Sequence, residues 1–229
     1  MLDGLFNNWW RVGGIAGILY LILFFAGFGL TGEAPTFDEP VDEIRDWFAD
    51  NGEQYLVGDY LTGLAFVLFF LPFLASLRGL LARVEGEPAV WSWVAFSGGL
   101  ALLIIGGIAS LFWATLAYGF GVAENADEET VRTLMYLDVA GFAMLPLGFV
   151  PFVLGASLVI LRTGVLWRWL SFVGLIVAVF SIIAGASTLT SDPDGALGGV
   201  GFIGFIGLPI WILLVSINMI LKREAPASA

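Results

Sequence analysis

The chain has 229 residues, 59% hydrophobic and 13% charged, with a formal net charge of −11 and neither cysteine nor histidine. A water-soluble domain is about half apolar and about a quarter charged, so this much apolar surface has to face lipid. The missing residue types exclude disulfides, thiolate chemistry, haem ligation by His and the common zinc sites, and the acidity excludes nucleic acid as a partner.

The first eleven residues, MLDGLFNNWWR, read as a short amphipathic lead with Trp9 and Trp10 at an interface. An uncharged run over 12–30 follows, and about 20 apolar residues make one membrane span. A secretory signal is the rival reading. The run is longer than a usual signal core and only one Arg precedes it, so a retained anchor is expected. Glu33 to Glu53 is the one sizeable polar insert. Asp38 or Glu39 as cap and Pro40 in the first turn signal a helix start. Val41, Ile44, Trp47 and Phe48 share one face, so a short amphipathic helix over about 38–51 is expected on the outer membrane surface or resting on the bundle.

Further apolar runs cover about 56–77, 94–120, 139–161, 170–189 and 200–221. Polar turns separate them: Glu85 to Pro88, the acidic stretch 124–129, the basic turn from Arg162 to Arg168, and Ser191 to Gly195. The expected fold is all-α, a single polytopic bundle of six transmembrane helices over 1–229. Arg11, Arg78, Arg83, Arg162, Arg168, Lys222 and Arg223 fall on one side, and only Arg45 and Arg132 on the other. By the positive-inside rule this places both termini in the cytoplasm of a plasma-membrane protein. Of the 20 acids, all but Asp3, Glu85, Glu87 and Glu224 then lie at the outer side.

Part of the pattern occurs twice. Asp59, Leu68, Phe70, Pro72 and Phe73 return as Asp138, Leu147, Phe149, Pro151 and Phe152. Trp91, Trp93, Phe96 and Gly98 return as Trp167, Trp169, Phe172 and Gly174. The three inward-running helices each hold a proline, Pro72, Pro151 and Pro209. The three outward-running helices each open with a tryptophan pair, Trp9 with Trp10, Trp91 with Trp93, and Trp167 with Trp169. Three hairpins of one plan would give this pattern, with the tryptophans as inner-interface anchors.

Asp59 and Asp138 are the candidate ion- or solute-binding residues, because an ionisable group within a span is a functional hypothesis by default. Their position at helix N-termini offers a plain electrostatic alternative, and Arg45 or Arg132 is placed to pair with either. Neither aspartate sits in the Tyr-Asp or Gly-x-Gly-Asp context of intramembrane aspartyl proteases. Pro72, Pro151 and Pro209 are candidate hinges, since each frees a backbone carbonyl that a cavity or a packed kink could use. They lack the Pro-x-acid-x-x-base motif of mitochondrial carriers. The glycine pairs at 13–14, 98–99, 106–107 and 198–199, with Gly201, Gly204 and Gly207, permit close helix contact, within one chain or between copies. GFGLTG at 27–32 is not a nucleotide loop, for no strand precedes it and no Lys follows. Asp192, Asp194 and the 124–129 loop attract divalent cations only loosely, because no full ligand loop is visible. No catalytic residue, metal site or cofactor is expected.

The stretch from Ala34 to Leu81, followed by LRTGVLWRWLSFVGLIVAV at 161–179, resembles a broad group of uncharacterised prokaryotic multi-pass membrane proteins. The resemblance implies an outer helix after the first span and an Arg-Thr-Gly turn before the fifth. It implies no activity. Two main functions remain open. One is a structural or accessory component of the envelope or of a larger membrane complex, with the bilayer, other subunits or itself as partner. The other is a carrier or channel for a small solute or cation, with an outward cavity near Asp59 and Asp138. An enzyme acting on lipid is the weakest reading.

Overall fold

The computed structural model describes residues 8–32, 35–118, 125–186 and 196–222, the side chains of 196–202 apart. The lead 1–7, the turn around Asp192 and Asp194, Glu124 and Arg223 lie outside the described residues. Every described element is a helix or turn. Among the described residues six helices follow one another: α1 (Trp9–Thr31), α2 (Val41–Glu85), α3 (Val90–Ala117), α4 (Glu128–Thr163), α5 (Trp169–Gly185) and α6 (Ala196–Leu221). By length and composition α1 to α4 and the Ile203–Leu221 part of α6 can each cross a membrane, whereas α5 is a shorter apolar helix. The chain is an all-α, polytopic membrane bundle.

Two boundaries differ from the expected ones, for one physical reason. The amphipathic stretch is not a separate surface helix; it forms the first turns of the 45-residue α2. Asn51-Gly52 reads as a breaker, yet the helix runs through it. A Cβ at Gly52 would lie 3.1 Å from the Ala117 carbonyl oxygen, so glycine there lets α3 approach. Val41, Ile44, Phe48 and Tyr55 bury against Trp113, Leu116, Val131 and Met135. Their apolar face is covered by protein, so packing overrides the local turn signal. Neither Asp38 nor Glu39 caps α2. Pro40 holds that position without a side-chain bond, and Glu39 instead accepts from the Thr36 amide at 3.0 Å. Helix α4 likewise starts eleven residues before the expected span, where the Asp127 carboxylate accepts from the Thr130 amide at 2.7 Å. The Thr130 hydroxyl and then its amide hold the Asp127 carboxyl below the usual range.

The N-terminal extensions of α2 and α4 clasp each other through Arg45 and Arg132. Arg45 donates to the Ala126 carbonyl at 2.6 Å. Arg132 donates to the Phe37 carbonyl at 3.2 Å and pairs with Glu128 at 3.0 Å. The expected pairing of Arg45 or Arg132 with Asp59 or Asp138 is not seen: each arginine instead satisfies backbone carbonyls ahead of the other's helix.

Neighbouring helices in sequence are neighbours in space, and α6 returns to α1, so the six form a ring. Apolar side chains attract one another little more than they attract lipid, so close backbone approach and van der Waals fit must hold such a ring. The most extensive seam joins α3 and α4. Gly141, Gly148 and Gly155 on α4 face Ala109, Leu102 and Ala95 on α3. Both sets are spaced by seven residues, which keeps one stripe in contact along an antiparallel pair. Gly98 answers from α3, against the backbone of Pro151 and Phe152. On the other side of the ring Gly13 and Gly17 of α1 seat on Ser76 and Phe73 of α2, and Gly14 seats on Ser216 and Ile220 of α6. Gly204 and Gly207 of α6 face Ser181 and Val177 of α5. The glycine stripes are thus spent inside the chain; Gly107, with nothing near it, is an exception.

Aromatic rings fill the centre. Tyr20 of α1, Phe70 of α2, Phe152 of α4 and Trp211 of α6 contact in turn, with centroids 5.0, 5.9 and 5.4 Å apart. Trp211 is fully buried and its indole donates to the Leu170 carbonyl at 3.0 Å. Phe73 and Phe152, equivalent in the repeat, are both fully buried, and Leu68 and Leu147 are both exposed. Gly98 and Gly174 are likewise both buried. Other pairs of the repeat differ: Asp59 is less buried than Asp138, and Pro72 is exposed where Pro151 is half-buried.

Candidate functional site

Three exposed tyrosines, Tyr60, Tyr118 and Tyr136, ring one end of the bundle, and exposed Trp91, Trp93, Trp167 and Trp169 ring the other. Such amphipathic rings mark headgroup level. From Asp59 to Arg78 α2 rises about 30 Å, one hydrocarbon thickness. Among the expected tryptophan anchors, Trp10 turns inward and is buried, whereas Trp9 lies over Gly79 of α2. Trp167 stacks on Trp169 at 6.0 Å, and the Arg78 guanidinium sits 3.9 Å above the Trp93 ring.

The prolines do not share a cavity wall. Pro72 is exposed on the outside of the ring, and Pro151 and Pro209 are half-buried within unbroken helices. Pro72 has a visible local effect. Its ring would clash with the carbonyl four residues back, and the preceding Ala65–Phe70 segment widens into a π-turn, with the Leu71 amide bonded to the Phe66 carbonyl.

Asp59 and Asp138 both face the same stretch of one neighbouring helix. The link is α3, whose Ser110 and Trp113 stand one turn apart on the same face. Ser110 faces Asp59, and Trp113 faces Asp138. Tyr55, one turn before Asp59 on α2, lies within electrostatic reach of both carboxylates. Its ring packs on Trp113 at 5.6 Å. Asp59 is half-exposed, whereas Asp138 is only 7% exposed. Trp113 Nε1 and Asp138 Oδ1 are buried and complete no hydrogen bond. The Ser110 hydroxyl donates to the Gly107 carbonyl at 3.3 Å. Two carboxylates, a phenol and a hydroxyl therefore lie along this stretch of α3, and Arg45 and Arg132 are engaged elsewhere.

Sequence reasoning finds the two aspartates through the repeat but misses Tyr55, Ser110 and Trp113, which have no charge and no repeat partner. Helical spacing is the one signal they carry: 55 with 59, and 110 with 113. At the end of the bundle that carries the tryptophans a cleft of 330 Å³ lies between the end of α2, the start of α3 and the end of α4, lined by Glu85, Trp91, Arg162 and Thr163 among others. Glu85 is committed there as a cap, accepting from the Trp91 and Ser92 amides at 2.8 and 2.9 Å. The turn after α4 is likewise tied down. Lys222 donates to the Val165 carbonyl at 2.9 Å, and the Trp167 amide donates to Asn218 at 3.2 Å. Among the described residues no group of three or more acidic, His or Cys side chains could hold a metal ion. No family model, curated protein or solved structure matches the chain, and fold and site together make it a polytopic all-α membrane protein with an acidic, hydroxyl-bearing cluster near one end of the bundle.

Proposed function

We propose that this is a multi-pass plasma-membrane protein, with both termini cytoplasmic, that acts as a structural or accessory component of the envelope or of a larger membrane complex. It is not an enzyme in this reading. The observation that carries it is the filled centre. The ladder Tyr20, Phe70, Phe152 and Trp211 packs the ring from wall to wall, where a permeation path would need polar or empty space. The likeness to uncharacterised prokaryotic membrane proteins belongs to the same reading. A tagged chain extracted in mild detergent is expected to co-isolate with larger membrane subunits at fixed stoichiometry. Recovery as a lone chain under conditions that preserve other membrane complexes overturns the accessory role.

A specific observation favours a second reading, a carrier for a small cation: Asp59 and Asp138 face one helix and one tyrosine. Cation uptake into proteoliposomes that disappears in Asp138→Asn would select it over the accessory role.

Orientation has a clean test, because the chain has no cysteine of its own. Glu129→Cys and Glu87→Cys place single thiols at exposed positions at opposite ends of the bundle. An impermeant maleimide applied to intact cells is expected to label the first at once and the second only after permeabilisation. The opposite pattern inverts the topology.

A further inference from the structure

The seam between α3 and α4 runs out before the bundle does. Gly141, Gly148 and Gly155 of α4 face Ala109, Leu102 and Ala95 of α3 at seven-residue steps. The next step pairs position 162 with position 88. On α4 that is Arg162, in the last turn of the helix. On the other side it is Pro88, in the turn ahead of α3. A long cationic side chain thus stands where the glycine stripe would continue, and the α3 side of the seam has not yet begun. The 330 Å³ cleft opens at this point, and clefts that hold small ligands start at about 300 Å³.

The lining is graded. Leu158, one turn deeper, and Leu161 give an apolar wall, and Arg162 and Thr163 stand at the helix end. Trp91 flanks it, one of the exposed tryptophans that mark headgroup level. The Arg162 guanidinium makes no hydrogen bond or ion pair among the described residues. Glu85, the acid in the lining, is already engaged. One of its oxygens accepts from the Trp91 amide, and the other from the Ser92 amide and hydroxyl. Its charge is therefore balanced by the start of α3. Arg168 brings a second cation close by. It folds against Gly164, next to Thr163, with its Nε 3.3 Å from where a Cβ would stand.

We propose that this cleft seats one anionic glycerophospholipid, its phosphate on Arg162 and the start of an acyl chain along Leu158 and Leu161. A guanidinium fork matches two phosphate oxygens. Lipid is the source of the phosphate, because the wall beside the cation is apolar and the cleft is level with the headgroups. The site depends neither on the orientation of the chain nor on either function considered above.

Native mass spectrometry tests it, on the purified full chain released from micelles doped with equal amounts of dioleoylphosphatidylglycerol and dioleoylphosphatidylcholine. The wild type is expected to retain one phosphatidylglycerol at about tenfold preference, the weight of one charge-assisted contact. Arg162→Gln should remove the preference, and Arg162→Lys should keep only part of it, since an ammonium lacks the fork. Leu158→Trp, which fills the cleft and leaves the charge intact, should also lose the lipid. Arg83→Gln removes an exposed cation from the same end, outside the cleft, and should change nothing. The wild-type result does not depend on any variant folding. Arg162 is exposed, so its Gln variant should unfold at the wild-type temperature in lipid-free detergent. Equal retention of the two lipids by the wild type overturns the site. So does a preference that survives Arg162→Gln or Leu158→Trp, or one that Arg83→Gln lowers as much as Arg162→Gln, since diffuse charge then suffices. Displacement of the lipid by millimolar glycerol phosphate, which has no acyl chain, overturns the lipid assignment in favour of a soluble phosphate ester.

Discussion

Gly98→Val is expected to destroy the bundle: little monodisperse protein after extraction, and a loss of about 3 kcal/mol or more in whatever survives. A Cβ at Gly98 falls on the Phe152 backbone amide, with the Phe152 Cα and the Pro151 carbonyl carbon each 2.9 Å away. A side chain can rotate out of such a conflict; a helix backbone cannot. Relief requires α3 and α4 to separate, and Gly148 and Gly155 make the same demand farther along. In lipid nothing replaces the lost contact energy, because the solvent is as apolar as the seam. Gly107→Val is the matched control. Nothing lies within 4 Å of its would-be Cβ, so its effect should be small. Thermal unfolding in detergent and size-exclusion profiles read both. Equal behaviour of the two variants would show that α3 and α4 can separate at Gly98 without loss of the bundle.

Trp211→Ala comes next, at about 3 kcal/mol, the lower end of the range for deleting a buried aromatic ring. The indole is fully buried between Phe152 and Gly174, and its Nε1 satisfies the Leu170 carbonyl. Trp211→Phe separates the two contributions. It keeps most of the ring and loses the hydrogen bond, which costs about 1 kcal/mol, since the Leu170 carbonyl keeps its place in the helical ladder. Chemical unfolding should rank wild type above Phe and Phe above Ala. A Phe variant as unstable as the Ala variant would assign the whole effect to the hydrogen bond.

Most of the fold is legible because lipid imposes it. Long uncharged runs such as 12–30 and 200–221 have no other stable place, and their helices sit within a few residues of the expected bounds. The glycines are legible as packing residues, but their partners are not. Thirty glycines hide the seven-residue spacing of Gly141, Gly148 and Gly155, and its meaning appears only beside Ala95, Leu102 and Ala109 on the facing helix. The continuity of α2 through Asn51-Gly52 is invisible locally for the same reason: Ala117, 65 residues on, decides it. The candidate site divides along a similar line. Charge inside an apolar run exposes Asp59 and Asp138. Tyr55, Ser110 and Trp113 are ordinary interface or packing residues until α3 is placed between the carboxylates.

The ring has a consequence for the order in which the protein can be built. Helices α3 and α4 are consecutive, so their seam can form as soon as the fourth helix enters the bilayer, with almost no search. Helix α1 is made first, yet one of its two faces waits for the last. Gly14 seats on Ser216 and Ile220, and Arg11 reaches the Lys222 carbonyl across 211 positions of sequence. Until α6 arrives, the smooth glycine face of α1 is open to lipid and to other nascent chains. The final helix is therefore the latch of biogenesis. A chain halted before it would leave the ring open, with half of the first helix uncovered for membrane quality control to recognise.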